Sequence, residues 1–131
     1  MVNSYHETAL SLIEQFGHHI SSTELSIQFI DVHALTSTPM SDLIHQYLTE
    51  RERIEYQQHQ RPLYFAAKRI ASKMAFFDIY HDNQINRPDQ LEIEHYQNGC
   101  PYFTFDHKKL NYALSISDEA HIVAALCCKR S

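Results

Sequence analysis

The chain has 131 residues, 44% of them hydrophobic and 21% charged, with a net charge of −5. That length suits one domain with a real core, and no apolar run approaches the roughly 20 residues of a membrane span. With two glycines and no GxGxxG or GxxxxGK[ST], the chain lacks the glycine-rich turns of P-loop and dinucleotide sites.

The first 20 residues have neither the basic start nor the apolar core of a signal peptide, which predicts a cytoplasmic protein. Cys100, Cys127 and Cys128 make an odd count without a CxxC, and read as reduced, apolar residues rather than a disulfide framework. Charge is unevenly spread. Residues 1–50 hold six acidic and no basic residues, whereas 51–73 hold Arg51, Arg53, Arg61, Lys68, Arg69 and Lys73 against Glu52 and Glu55. A cationic segment on an acidic protein suits a phosphate or an acidic partner protein, with a solvated helix face as the structural alternative. Nucleic acid is disfavoured by the net charge and by the lack of a basic-aromatic motif.

In chain order, residues 5–20 read as an amphipathic helix through Ala9, Ile13, Phe16 and Ile20, making 1–23 a helical extension of a domain over 24–131. Leu25 to Val32, rich in β-branched and aromatic residues, predicts a strand, and Thr36 to Pro39 a turn. Ser41 is placed to cap a helix through Leu48. Thr49-Glu50-Arg51-Glu52 has the form of a capping box, opening a short helix of about eight residues. The longest helical pattern follows, from Pro62 to near Tyr80. Its apolar stripe is Leu63, Ala67, Ile70, Met74 and Phe77, with Lys68, Arg69, Ser72 and Lys73 on the other side.

After a polar stretch over 81–90, residues 91–95 alternate as a half-buried strand. Asn98-Gly99 signals a turn into a strand from Pro101 to Phe105, and 106–109 turns again. Two further strands, 112–117 and 121–128, flank a turn at Asp118-Glu119. Helices first and strands later, after one early strand, is an α+β pattern, with the long helix packed on a small antiparallel sheet. Ten histidines show no HExxH and no zinc spacing, and read as scattered surface residues. Ser115 and Ser117 lack the GxSxG turn of a nucleophile.

Five stretches in order resemble the holo-acyl carrier protein synthase type of 4′-phosphopantetheinyl transferase. Phe29-Ile30-Asp31-Val32 is similar to the family's strand end, Gly-Ile-Asp-Ile-Val-Glu-Ile. Leu48-Thr49-Glu50-Arg51-Glu52 is similar to its Leu-Ser/Thr-x-x-Glu element. Residues 65–75 resemble the family's long helix, whose Arg-Phe-Ala-x-Lys-Glu-Ala-x-x-Lys-Ala stretch runs in register from Arg69 onward, and Gly99-Cys100-Pro101 its Gly-x-Pro turn. Ser115-Ile116-Ser117-Asp118-Glu119 resembles the last strand end.

The resemblance implies transfer of phosphopantetheine from coenzyme A to a serine of an acyl carrier protein, in a trimer with coenzyme A between subunits. It implies Mg²⁺ held by the strand aspartate and the helix glutamate. A hard cation takes oxygen ligands, often one or two carboxylates with phosphate oxygens, and neutralises charge on the leaving group. Carried over, it makes Asp31 and Lys73 catalytic, Asp31 a metal ligand, and Lys68, Arg69, Lys73, Gly99, Pro101 and Ser117 cofactor contacts; Asp78, four residues beyond Met74 on the same helix face, is the candidate for a relocated second metal ligand.

Two positions depart from the pattern. Met74 stands where the helix glutamate belongs, and Asp78 where the later lysine belongs. The glutamate after the strand aspartate falls at Ala34. Two functions therefore stand open: an active transferase, or a non-catalytic relative that binds a carrier protein or a partner subunit.

Overall fold

The computed structural model describes residues 24–37 and 40–130, and the expected N-terminal helix lies outside them. Strand β1 (Leu25–Asp31) runs into a 3-10 helix over Val32–Ser37, followed by helices α1 (Met40–Tyr47), α2 (Glu50–Gln58) and α3 (Pro62–Ile79). The strands β2 (Glu92–His95), β3 (Pro101–Phe105), β4 (Lys108–Lys109), β5 (Tyr112–Glu119) and β6 (Ile122–Lys129) complete the chain. No described helix is long and apolar enough to cross a membrane.

The α+β class and the long helix on antiparallel strands are as expected. Three details differ. The late strands divide between two three-stranded sheets, β1-β6-β5 and β2-β3-β4, instead of forming one. The β5–β6 turn lies at Ala120 and His121, two residues beyond Asp118-Glu119, with Ala120 at a φ of 53°. Ser41 sits inside the first turn of α1, because that helix already starts at Met40.

Strand β6 is central, pairing antiparallel with both β1 and β5, and its residues from Ile122 to Cys128 are all buried. Val123, Ala125 and Cys127 face the main core with Ala67, Ala71 and Ala75 of α3, while Ala124, Leu126 and Cys128 form a cluster with Ile27 and Phe29. Period-two alternation thus serves two apolar faces at once. Alanine at every fourth position of α3 lets the helix backbone approach the sheet closely. Phe76, with no exposed surface, ties α3 to the second sheet and to β5 through Phe103 (5.0 Å) and Tyr112 (4.9 Å).

The expected polar side of α3 is mostly buried. Arg69, Ser72 and Lys73 are 5%, 0% and 0% exposed, whereas Leu63, Met74 and Phe77 of the expected stripe are only half-buried. A carboxylate on α2 accounts for this inversion.

Candidate functional site

Helix α2 opens with the capping box its sequence announces. The Glu52 N–H donates to Thr49 Oγ1 at 3.1 Å, and the Thr49 N–H donates back to Glu52 Oε1 at 3.0 Å. The box does more than start a helix. It holds Glu52, 1% exposed, facing α3, where Lys73 Nζ donates to Oε1 at 2.5 Å and to the Tyr47 carbonyl at 2.6 Å. The Ile93 N–H of β2 donates to Glu52 Oε2 at 3.1 Å, and Arg69 Nε lies 3.4 Å from the same oxygen. One carboxylate therefore joins α2, α3 and β2. Burial pushes both the Lys73 ammonium and the Arg69 guanidinium down from their ordinary values, against the opposing pull of Glu52.

Of the residues singled out from sequence, Lys73 and Arg69 accordingly turn inward, and Arg69 also stacks on the Phe65 ring at 4.4 Å. Lys68, half-buried, is the cation of that group that reaches the surface, and it pairs with Asp118 Oδ2 at 3.1 Å, beside the β5–β6 turn. One helical turn earlier, Tyr64 Oη donates to the Ala120 carbonyl at 3.1 Å. Ser117, half-buried, sits opposite Ala124 on β6 near the same end of the sheet.

Asp31 ends β1 there too, paired with Ile122. Its Oδ1 accepts the His33 N–H at 2.9 Å and lies 3.8 Å from His121 Nε2. The imidazoles of His33 and His121 stack, with centroids 4.5 Å apart and planes 10° from parallel. Among the described residues, Asp31, His33 and His121 form the group of three ligand-bearing side chains with mutually close donor atoms, and Asp78 is not in it. Asp78 is exposed in the last turn of α3.

Met74 packs against the apolar cluster of Ile44, Leu48, Phe65, Ala66 and Ile70. A thioether is a poor ligand for a hard cation, so these donors do not fit Mg²⁺, which calls for near-octahedral oxygen ligation.

Sequence reasoning missed His33 and His121. The available signal was the Asp-x-His at the end of β1, together with an antiparallel β1–β6 pairing that brings residue 121 alongside. It also gave Glu52 only its capping role, because tertiary partners leave no local signature.

Gly99 and Pro101 lie at the far end of the molecule. Gly99 takes a φ of +90° in the β2–β3 turn, a backbone region that favours glycine. Both line a groove of about 970 Å³ with Tyr96, Tyr102, Lys109 and Arg130. Lys109 Nζ sits 4.7 Å from the Tyr96 ring centroid, and the Tyr96 and Tyr102 rings are 4.3 Å apart. Lys129, also in the groove, is seven steps along β6 from the partner of Asp31, roughly 23 Å at strand rise. The two candidate regions are thus separate within one chain.

No protein-family model matches the chain. The holo-[acyl-carrier-protein] synthase of Hamiltonella defensa subsp. Acyrthosiphon pisum (strain 5AT) is 34% identical over 114 residues, covering 76% of this chain and 88% of the relative. The structure is similar to the crystal structure of the Neisseria meningitidis synthase, with a TM-score of 0.68 at 20% identity, covering 82% of this chain and 98% of that one. The Bacillus anthracis synthase in complex with CoA (3′,5′-ADP) also gives 0.68 at 20% identity, covering 82% and 96%. The Helicobacter pylori synthase in complex with coenzyme A gives 0.60 at 14%, covering 80% and 98%. An early strand ending in Asp31, a helix locked through Glu52, and a relative so alike over most of both lengths lead to one conclusion: the chain belongs to the holo-[acyl-carrier-protein] synthase family.

Proposed function

We propose that this chain binds an acyl carrier protein, as its family does, without performing magnesium-dependent phosphopantetheine transfer. The observation that carries this reading is Met74, packed among apolar side chains where the family's metal-binding glutamate belongs. Asp78 is not among the side chains grouped with Asp31.

What supports docking is the exposed charge left once Arg69 and Lys73 are neutralised inside. Arg51 and Arg61 are exposed, and Lys68 is 37% exposed at its side chain. Such a surface suits an acidic carrier protein. The groove around Gly99, Pro101, Lys109 and Arg130 suits the phosphates and base of coenzyme A, the ligand named for the relatives from Bacillus anthracis and Helicobacter pylori. A homotrimer would join the groove of one subunit to the Asp31 end of its neighbour. The protein would work in the cytoplasm, where both coenzyme A and carrier protein are found.

A second reading is active transfer with a cation other than Mg²⁺, favoured by the imidazoles beside Asp31. Titration calorimetry with apo carrier proteins from the same cell tests docking. Binding is expected, weakened by Arg61→Glu and Lys68→Glu; no binding to any carrier protein overturns the docking reading. Transfer that appears with Mn²⁺, Co²⁺ or Zn²⁺ but not with Mg²⁺ would select the second reading.

A further inference from the structure

We propose that Asp31, His33 and His121 form a binding site for one divalent transition-metal ion of the zinc class. The site shares Asp31 with the magnesium site that the family resemblance implies, but its other ligands are imidazoles, and it does not depend on whether transfer occurs.

Two chain segments supply the donors: the end of β1 with the first residues of the 3-10 helix, and the β5–β6 turn. The Val32 N–H donates to the His121 carbonyl at 2.8 Å, which fixes these segments against each other at the backbone. The His33 N–H on Asp31 Oδ1 holds the carboxylate in place, the kind of supporting hydrogen bond that ligating carboxylates have. One ligand atom from each of the three side chains lies within 4.8 Å of the others. A cation about 2.0–2.2 Å from each ligand in a tetrahedral site needs them about 3.4 Å apart. The required closure is at most about 1.4 Å, within reach of side-chain rotation.

His33 is the group that must turn. In the stack its in-plane nitrogen lone pair lies in a plane nearly parallel to that of the His121 ring, so the two do not converge on one ion. His33 is exposed, so its ring can leave the stack without disturbing the core. His121 and Asp31 are about a quarter exposed at their side chains, which leaves an entry path from solvent.

Imidazole and carboxylate together favour zinc, cobalt, nickel or manganese over magnesium. Three protein ligands leave a fourth position open for water or a phosphate oxygen.

Titration calorimetry of the full-length, metal-free chain with Zn²⁺, and absorption spectra with Co²⁺, test the site without any reference to activity. One equivalent is expected to bind, with visible Co²⁺ bands of low symmetry, and Mg²⁺ is expected to bind far more weakly. His33→Gln and His121→Gln should each weaken Zn²⁺ binding at least about tenfold while circular dichroism stays unchanged. His18→Gln with His19→Gln, which are not among the three proposed ligands, should leave binding intact. Binding that survives both His33→Gln and His121→Gln, binding lost instead with His18 and His19, no Zn²⁺ binding at all, or Mg²⁺ binding as tightly as Zn²⁺ would each overturn the proposal.

Discussion

Glu52 and Lys73 meet inside the domain, Oε1 to Nζ at 2.5 Å, with 1% and 0% of their side chains exposed. Removing either partner strands a buried charge. Glu52→Ala is therefore expected to cost about 3–5 kcal/mol of stability, read from urea unfolding. Lys73→Met should cost less, because Arg69 remains beside the carboxylate. Glu52→Leu combined with Lys73→Met should recover part of the loss. Glu52→Ala unfolding at the wild-type urea midpoint would contradict the buried assignment.

The pair also marks the limit of what the sequence discloses. The capping box, the span of α3 and the first strand are local patterns, each legible from residue type and spacing, although the strand ends at Asp31 and not at Val32. That Lys73 turns inward is not legible, because a cation at a helical surface position reads the same whether or not a carboxylate from another helix meets it. The same holds for His33 and His121, which are 88 positions apart in sequence and stacked in space. The division into two sheets was hidden because strand pairing is non-local, and β1 takes its partner from the other end of the chain.

Cysteine chemistry checks the placement of β6. Cys100 is exposed in the β2–β3 turn, whereas Cys127 and Cys128 are buried. Iodoacetamide on the native protein should modify Cys100 alone, with the other two reacting only on unfolding. Burial also pushes the Cys127 thiol far up from its ordinary value of 9.0. A raised folded value means that its stability contribution is full below about pH 9 and is lost as pH rises beyond that. Cys127→Ala should flatten this alkaline decline. Rapid native labelling of Cys127, read by peptide mass, would contradict the fold.

The groove beside Gly99 makes a prediction about phosphate binding. Lys109 and Arg130 line it from exposed positions. Lys109→Glu or Arg130→Glu should weaken coenzyme A binding about tenfold at low salt, and less at high salt, because exposed charges are screened. Calorimetry that finds wild-type affinity in both variants would place the coenzyme elsewhere.

Met74→Glu together with Asp78→Lys rebuilds the two helix positions that depart from the family pattern. Mg²⁺ is expected to raise the Tm of this double variant while leaving wild type unchanged, since a ligand stabilises only the state that binds it. The variant without metal should be less stable by about 1–3 kcal/mol, because a carboxyl replaces apolar packing. An equal Mg²⁺ shift in the wild type would show that the native chain already holds the ion.

The most direct test is the intact mass of apo carrier protein after incubation with the wild-type chain, coenzyme A and Mg²⁺. The expected result is an unchanged mass, alongside a complex between the two proteins. A carrier protein that gains the mass of one phosphopantetheine, but not when EDTA is present during the incubation, would contradict the loss of magnesium-dependent transfer that follows from Met74.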